Sequence, residues 1–124
     1  MQADFQVAII GAGFGGLGMA IELKKRGRHS LVILEKADQV GGAWRDNTYP
    51  GAACDVPSHL YSFSFARKFD WSRRFAPQAE ILDYLKRCAR DHDLERHLRL
   101  GTEVRAARFD EDAGLTADLA DKIL

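Results

Sequence analysis

Three groups of residues in this chain have the types and spacing to do chemistry. Gly11, Gly13 and Gly16, with Ala12, Phe14 and Gly15 among them, form a G-x-G-x-x-G run; Glu35 is an isolated acid; Asp55 sits in a glycine- and aromatic-rich stretch. In such a run the first glycine allows a turn out of a strand, the second lets the backbone approach a pyrophosphate, and the third lets helix and strand pack closely. The N–H groups and dipole at the start of the following helix make an anion site with no side-chain charge. An acid roughly twenty residues further on accepts hydrogen bonds from adenosine ribose hydroxyls, and Glu35 stands there. A carboxylate at that point repels a 2′-phosphate, so the pattern predicts FAD or NAD rather than NADP.

The elements that must hold these residues are legible around them. Phe5 to Ile10 is a short apolar run that fits a strand buried on both faces. Leu17, Ala20, Ile21 and Leu23 recur at helical spacing, Lys24, Lys25 and Arg26 fall in the last turn where the helix dipole favours cations, and Gly27 suits the position after the helix. Leu31 to Leu34 reads as a second strand with Glu35 at its carboxyl end. Strand, glycine loop, helix, strand and acid together predict the βαβ start of a dinucleotide-binding domain.

Composition narrows the remaining classes. The 124 residues carry no net charge and are 46% hydrophobic, enough for one domain with a modest core. No basic excess points to nucleic acid, and no apolar run is long enough to span a membrane. Phe5 to Ile10 follows only Met-Gln-Ala-Asp, unlike a secretory leader. Cys54 and Cys88 lie in unlike contexts and His29, His59, His92 and His97 are scattered, so the sequence predicts a reduced, cytoplasmic chain without a metal site.

Between Lys36 and Pro77 the chain runs for roughly forty residues through Gly, Pro, Asn, Asp, Ser and aromatics, a length that in a compact domain usually signals function. Trp44, Tyr49, Tyr61, Phe63, Phe65, Phe69, Trp71 and Phe75 are too many for a solvated linker and must cover either the sheet edge or a flat cofactor. Within it, GGAWRDNTYPGAACD (Gly41 to Asp55) has the pattern G-G-x-W, four residues, aromatic-Pro-Gly, three residues, Asp. With the glycine loop and Glu35, this stretch resembles the first-domain fingerprint of Baeyer–Villiger monooxygenases, flavoenzymes that insert an oxygen atom beside a ketone carbonyl. CDVPSHLYSFSF and FAPQAEILDYLKRCA continue the resemblance, which covers residues 5 to 112. Flavin-containing N- and S-monooxygenases share much of the first part; the tryptophan-to-aspartate spacing favours the Baeyer–Villiger group.

The resemblance implies roles. Gly11 to Gly16 would hold the FAD pyrophosphate and Glu35 the adenosine ribose. Ala43, Trp44 and Arg45 would pass alongside the flavin half, Asp55 would sit by the isoalloxazine ring, and Tyr61 would be a further FAD contact. Asp55 would act electrostatically, orienting an arginine from elsewhere that stabilises negative charge beside the ring. On residue type alone, Trp44 also reads as a core aromatic, Asp55 as an Asx turn before Val56-Pro57, Arg45 as a solvated charge and Cys54 as a passive small residue.

Pro77 suits a first helical position, and Ile81, Leu85, Cys88 and Ala89 predict a helix over 78–92 with Asp83, Lys86, Arg87 and Arg90 on its solvated face. His97 to Leu100 reads as a third parallel strand and Glu103 to Phe109 as a following one. In flavoproteins with two dinucleotide-binding domains a residue here contacts the adenine through its backbone, by position Val104. Asp110 to Gly114 is a turn signal. The family then has a second meander strand, whereas Leu115, Leu119 and Ile123 stand at helical spacing, so the resemblance is expected to stop at the turn. The expected organisation is a partial FAD-binding domain over 1–112, an α/β Rossmann-like βαβ unit incomplete at its C-terminus, and an off-pattern tail over 113–124. The second glycine loop for NADPH and the F-x-G-x-x-x-H-x-x-x-W run of the family are expected outside this chain. The implied complete enzyme would use NADPH, FAD and a ketone or aldehyde. A non-catalytic FAD or adenine-nucleotide module, a portion of an N- or S-oxidising enzyme, and an NAD-dependent half that works with a partner subunit are the other readings.

Overall fold

The computed structural model describes residues 4–112 and 114–119. Strand β1 (Val7–Ile10) leads into helix α1 (Phe14–Lys25), which returns to strand β2 (Leu31–Leu34). A one-turn helix α2 (Ala43–Asp46), helix α3 (Gln78–Asp91) and strands β3 (Leu98–Arg99), β4 (Val104–Asp110) and β5 (Gly114–Leu119) follow. β1, β2 and β3 form a parallel sheet in that order, and β4 and β5 form an antiparallel pair.

β2 lies in the middle, and its four residues are all buried because their alternate side chains face two different layers. Leu31 and Ile33 join Ile9 in a core with Leu17, Ala20 and Ile21 of α1 and with Tyr84, Leu85, Cys88 and Ala89 of α3. Val32 and Leu34 face the other way, onto Ala117 and Leu119 of β5, with Phe5 and Val104 beside them. The unit is therefore three layers: helices, parallel sheet, hairpin. α1 ends as its sequence predicts, with Lys24 and Lys25 in the last turn and Gly27 at φ +78°. Lys24 also ties α1 to the end of α3 within the helix layer, its Nζ donating to the carbonyls of His92 (3.1 Å) and Asp93 (2.8 Å).

Two expectations are corrected. β1 is not buried on both faces: it is an edge strand among the described residues, only Ile9 is buried, and Ile10 is 64% exposed. The spacing of Leu115 and Leu119 does not mark a helix. Gly114–Leu119 is a strand paired with β4, and Ala117 and Leu119, two apart, bury together on Val32 and Leu34. A period-two stripe that met a ready apolar face overrode the helical one. Ile123 lies outside the described residues.

The long aromatic stretch folds back onto the helices. Phe63 stacks on Phe65 (centroids 5.0 Å apart) and both pack on the α1–α3 core, Phe63 against Gly18, where a Cβ would come within 2.8 Å of its ring. Tyr84 of α3 anchors the stretch, its hydroxyl donating to the Ala66 carbonyl (2.6 Å) and accepting from the Phe63 N–H (2.9 Å). Burial keeps that hydroxyl protonated far above the usual phenol range. The aromatics thus cover protein first, though Tyr49 and Phe69 stay largely exposed.

Candidate functional site

Ala12 is the hinge of the site. Its N–H donates to Glu35 Oε1 (3.0 Å), and its carbonyl accepts from the Gly41 N–H (2.9 Å), so one peptide binds the glycine loop to the end of β2 and to the start of the aromatic stretch. Gly11 leaves β1 at φ +98°, a region open to glycine and costly for other residues, and its N–H reaches the Leu34 carbonyl (2.8 Å). A Cβ on Gly16 would lie 1.9 Å from the Gly11 carbonyl oxygen, so a side chain there is excluded by backbone. Gly13 caps α1 without a side-chain hydrogen bond, and the first turn carries no acidic residue, which leaves the helix start electrostatically open to an anion. Gly13 and Gly42 also face each other closely enough that a Cβ on Gly42 would stand 3.2 Å from the Gly13 Cα.

Glu35 is buried beneath this loop. Its Oε2 accepts from the Ala37 N–H (2.9 Å), its own N–H donates to the Arg99 carbonyl (3.1 Å), and its carbonyl accepts from the Thr102 N–H (2.8 Å). Burial pushes its carboxyl upward, but the Ala37 and Ala12 donors and the Arg45 charge outweigh that and hold it below the ordinary value. A carboxylate has about four lone-pair positions; two backbone donors leave room for a pair of hydroxyls. That is the requirement of an adenosine ribose, and the arrangement fits an adenine dinucleotide.

The residues expected beside the flavin divide. Ala43, Trp44, Asp55 and Tyr61 line one concavity of about 430 Å³ together with Tyr49 and Cys54. Trp44 donates through Nε1 to the Tyr61 hydroxyl (3.1 Å) with the rings edge to face, and Phe14 sets its own ring against Tyr61 at 5.1 Å. Asp55 is exposed at the rim, and among the described residues its side chain makes no hydrogen bond or ion pair, so it does not form an Asx turn. Arg45 does not join this group and is not a solvated charge. Its side chain is nearly buried, and its Nη1 lies 3.6 Å from Glu35 Oε2. Val104, at the start of β4, follows Thr102 by two residues and packs its side chain on the Val32–Leu34 face.

Several supporting residues were missed in the sequence. Ser58 is buried with its Oγ 2.8 Å from the carbonyls of both Arg73 and Arg74, donating to one of them, while it accepts from the Ala76 N–H at 2.7 Å. Around it, Cys54 and Gln78 exchange backbone bonds with Ala76 and Ala52 (3.1 and 2.9 Å), and the Gln78 side chain donates to the Trp44 carbonyl. These contacts set the shape of the Cys54–Asp55 wall. A small hydroxyl inside an aromatic run was the available signal. Among the described residues no cluster of His, Cys, Asp and Glu could hold a metal, and no helix is long and apolar enough to cross a membrane.

Comparison with known proteins agrees with this geometry. The NAD(P)-binding Rossmann-like domain family matches residues 9–79. A Baeyer–Villiger monooxygenase of Streptomyces coelicolor is 52% identical over 107 residues, 86% of this chain and 21% of that protein. Cyclohexanone monooxygenase from Rhodococcus sp. Phi1 bound to NADP+ superposes with a TM-score of 0.90 at 38% identity, over 96% of this chain and 24% of that one. OTEMO in complex with FAD and NADP gives 0.92 at 31% identity, over 100% and 24%. The chain spans about a fifth of the length of the curated relatives it matches.

Proposed function

The chain belongs to the NAD(P)-binding Rossmann-like domain family and is homologous to Baeyer–Villiger monooxygenases over most of its length, and from that premise we propose that it is the FAD-binding portion of an NADPH-dependent monooxygenase acting on ketones or aldehydes. The observation that carries this reading is the Ala12–Glu35–Gly41 junction. It joins a phosphate-accepting helix start to a ribose-accepting carboxylate, and continues directly into the Trp44–Tyr61–Asp55 concavity. OTEMO, matched at 31% identity, is a complex with FAD and NADP, which supports FAD here.

In this reading the Gly11–Gly16 backbone binds the pyrophosphate and Glu35 the ribose. The Val104 backbone meets the adenine, while Ala43, Trp44 and Tyr61 flank the flavin half. FAD when bound supplies the redox and oxygen-transfer chemistry. Asp55 lies at the flavin side as an exposed carboxyl group that can orient a cationic partner. Arg45 serves the ribose end instead, through Glu35. The Glu35 carboxylate disfavours a 2′-phosphate at this loop, so NADPH belongs at a different site of the complete enzyme.

The test is purification of the 124-residue chain with added FAD. A flavin absorption band that co-elutes with the protein and is not bleached by NADPH is expected. Retention of NAD with rejection of FAD would instead favour the NAD-dependent reading, and ketone oxygenation by this chain alone would overturn the assignment of the remaining chemistry elsewhere.

A further inference from the structure

Arg45 is held more firmly than a surface arginine. Its Nε and Nη2 donate to Asp46 Oδ1 and Oδ2 (2.9 and 3.1 Å), a two-point clamp from the neighbouring residue. Nη1 donates to the Gln39 carbonyl (2.8 Å) and lies 3.6 Å from Glu35 Oε2. The side chain is only 9% exposed, whereas that of Asp46 is 62% exposed. Its stem presses on Gly41, where a Cβ would come within 2.9 Å of the Arg45 Cβ, and Gly41 is the residue whose N–H holds the Ala12 carbonyl. Arg45 therefore touches both arms of the junction that brackets Ala12.

We propose that Arg45 is a positioning residue for the ribose-binding carboxylate: clamped by Asp46 and Gln39, it orients Glu35 and balances its charge. The Glu35 oxygens thereby stay aimed at Ala12, Ala37 and the adenosine ribose. This rests on the FAD-binding reading above and gives Arg45 a place at the adenosine end of the cofactor, with Asp46 as its outer clamp.

The surrounding charges leave this pairing to Arg45. Lys36 adjoins Glu35 in sequence and acts on Asp46, and the Arg99 guanidinium of β3 is turned onto the Phe5 ring at 5.2 Å. The Asp46 hydrogen bond is the largest influence on Arg45 and raises it further above its ordinary value, against the opposing effect of burial. A cation fixed in this way opposes protonation of Glu35, so nucleotide binding should persist to lower pH with Arg45 than without it.

The experiment measures ADP and 2′-deoxy-ADP affinity by calorimetry between pH 4.5 and 8 for the 124-residue chain and for R45M, R45K and D46N. R45M keeps the apolar stem and removes the charge. It is expected to bind ADP about tenfold more weakly at neutral pH, because the Glu35 oxygens lose the group that orients them. It should also lose much of the preference for ADP over the 2′-deoxy analogue, and its binding should fall away at a higher pH. R45K should restore most of both properties, and D46N should shift them in the same direction by less. R45M matching the wild type in affinity, discrimination and pH profile overturns the proposal. So does an equal loss in R45M and R45K with an unmoved pH profile, which marks a packing role only. Should R45M fail to fold, D46N takes its place, and D46N matching the wild type in affinity, discrimination and pH profile overturns it equally. Failure of the wild-type chain to bind either FAD or ADP overturns the proposed function itself, and this inference with it.

Discussion

At the Ala12 end of the site the polar groups already have partners drawn from within this chain, whereas at the Asp55 end they meet an open concavity. Ala12 uses both its N–H and its carbonyl, and Glu35 takes two backbone donors and an arginine. Asp55 stands exposed on a wall whose own backbone is tightly knotted by Ser58. Both ends are built with care, but only at the first is the carboxylate paired within this chain. An adenosine grip needs groups that one βαβ unit can supply from two strand ends and a loop. In the proposed reading the Asp55 end would present its charge to groups from elsewhere in the complete enzyme.

Substitutions can break or sharpen this contrast. The largest effect belongs to G16V, whose side chain would drive into the Gly11 carbonyl 1.9 Å from the first added atom. Neither neighbour can yield without moving β1 from α1, so a loss of about 3 kcal/mol or more is expected in urea unfolding, with nucleotide binding abolished. E35Q comes next, because it removes one of the two carboxylates beside the buried Arg45 side chain, leaving only Asp46, and weakens the hold on Ala12 and Ala37. About 2 kcal/mol is the expected cost near neutral pH. The sign with pH follows from the lowered carboxyl. Its contribution is complete above the unfolded carboxylate range and is lost as pH falls through the lower folded value, so wild type and E35Q should converge in thermal melts toward acid.

S58A carries the contrast to the other end. Removing the buried hydroxyl strips a donor from the Arg73–Arg74 carbonyls and an acceptor from Ala76, at about 1–2 kcal/mol in the same unfolding assay. Because Ser58 makes no hydrogen bond to Ala12, Glu35 or Gly41, ADP affinity should hold while FAD affinity declines. D55N should be the mildest, within about 0.5 kcal/mol in stability and with ADP affinity unchanged, since its side chain has no partner among the described residues. A large stability loss in D55N would mean that the Asp55 wall is as closed as the Ala12 end.

The same division explains what was legible beforehand. Gly11, Gly16 and Glu35 are fixed by local geometry, a turn at φ +98°, a backbone contact and a strand end, and residue type with spacing specifies all three. Trp44, Tyr61 and Asp55 line one concavity, yet no periodicity could have placed them, because the stretch between them has none. Arg45 stands by Glu35 and not with Trp44. It follows Trp44 in sequence, but successive residues on a helical turn point about 100° apart, and the one-turn α2 sends Trp44 to Tyr61 and Arg45 to Glu35. The strand over Gly114–Leu119 was hidden for a different reason. Leu115, exposed at the far end of the hairpin, supplied the spurious helical spacing, while the decisive face was Val32 and Leu34 far away in sequence.

The most direct test of the account is an amide chemical-shift titration of the 124-residue chain with ADP. If the Ala12 junction is the adenosine grip, the shifts should concentrate on Ala12, Gly13, Gly15, Gly16, Glu35 and Ala37, and leave Cys54, Asp55 and Tyr61 where they were. Shifts centred on the Asp55 concavity, with the glycine loop silent, would contradict it.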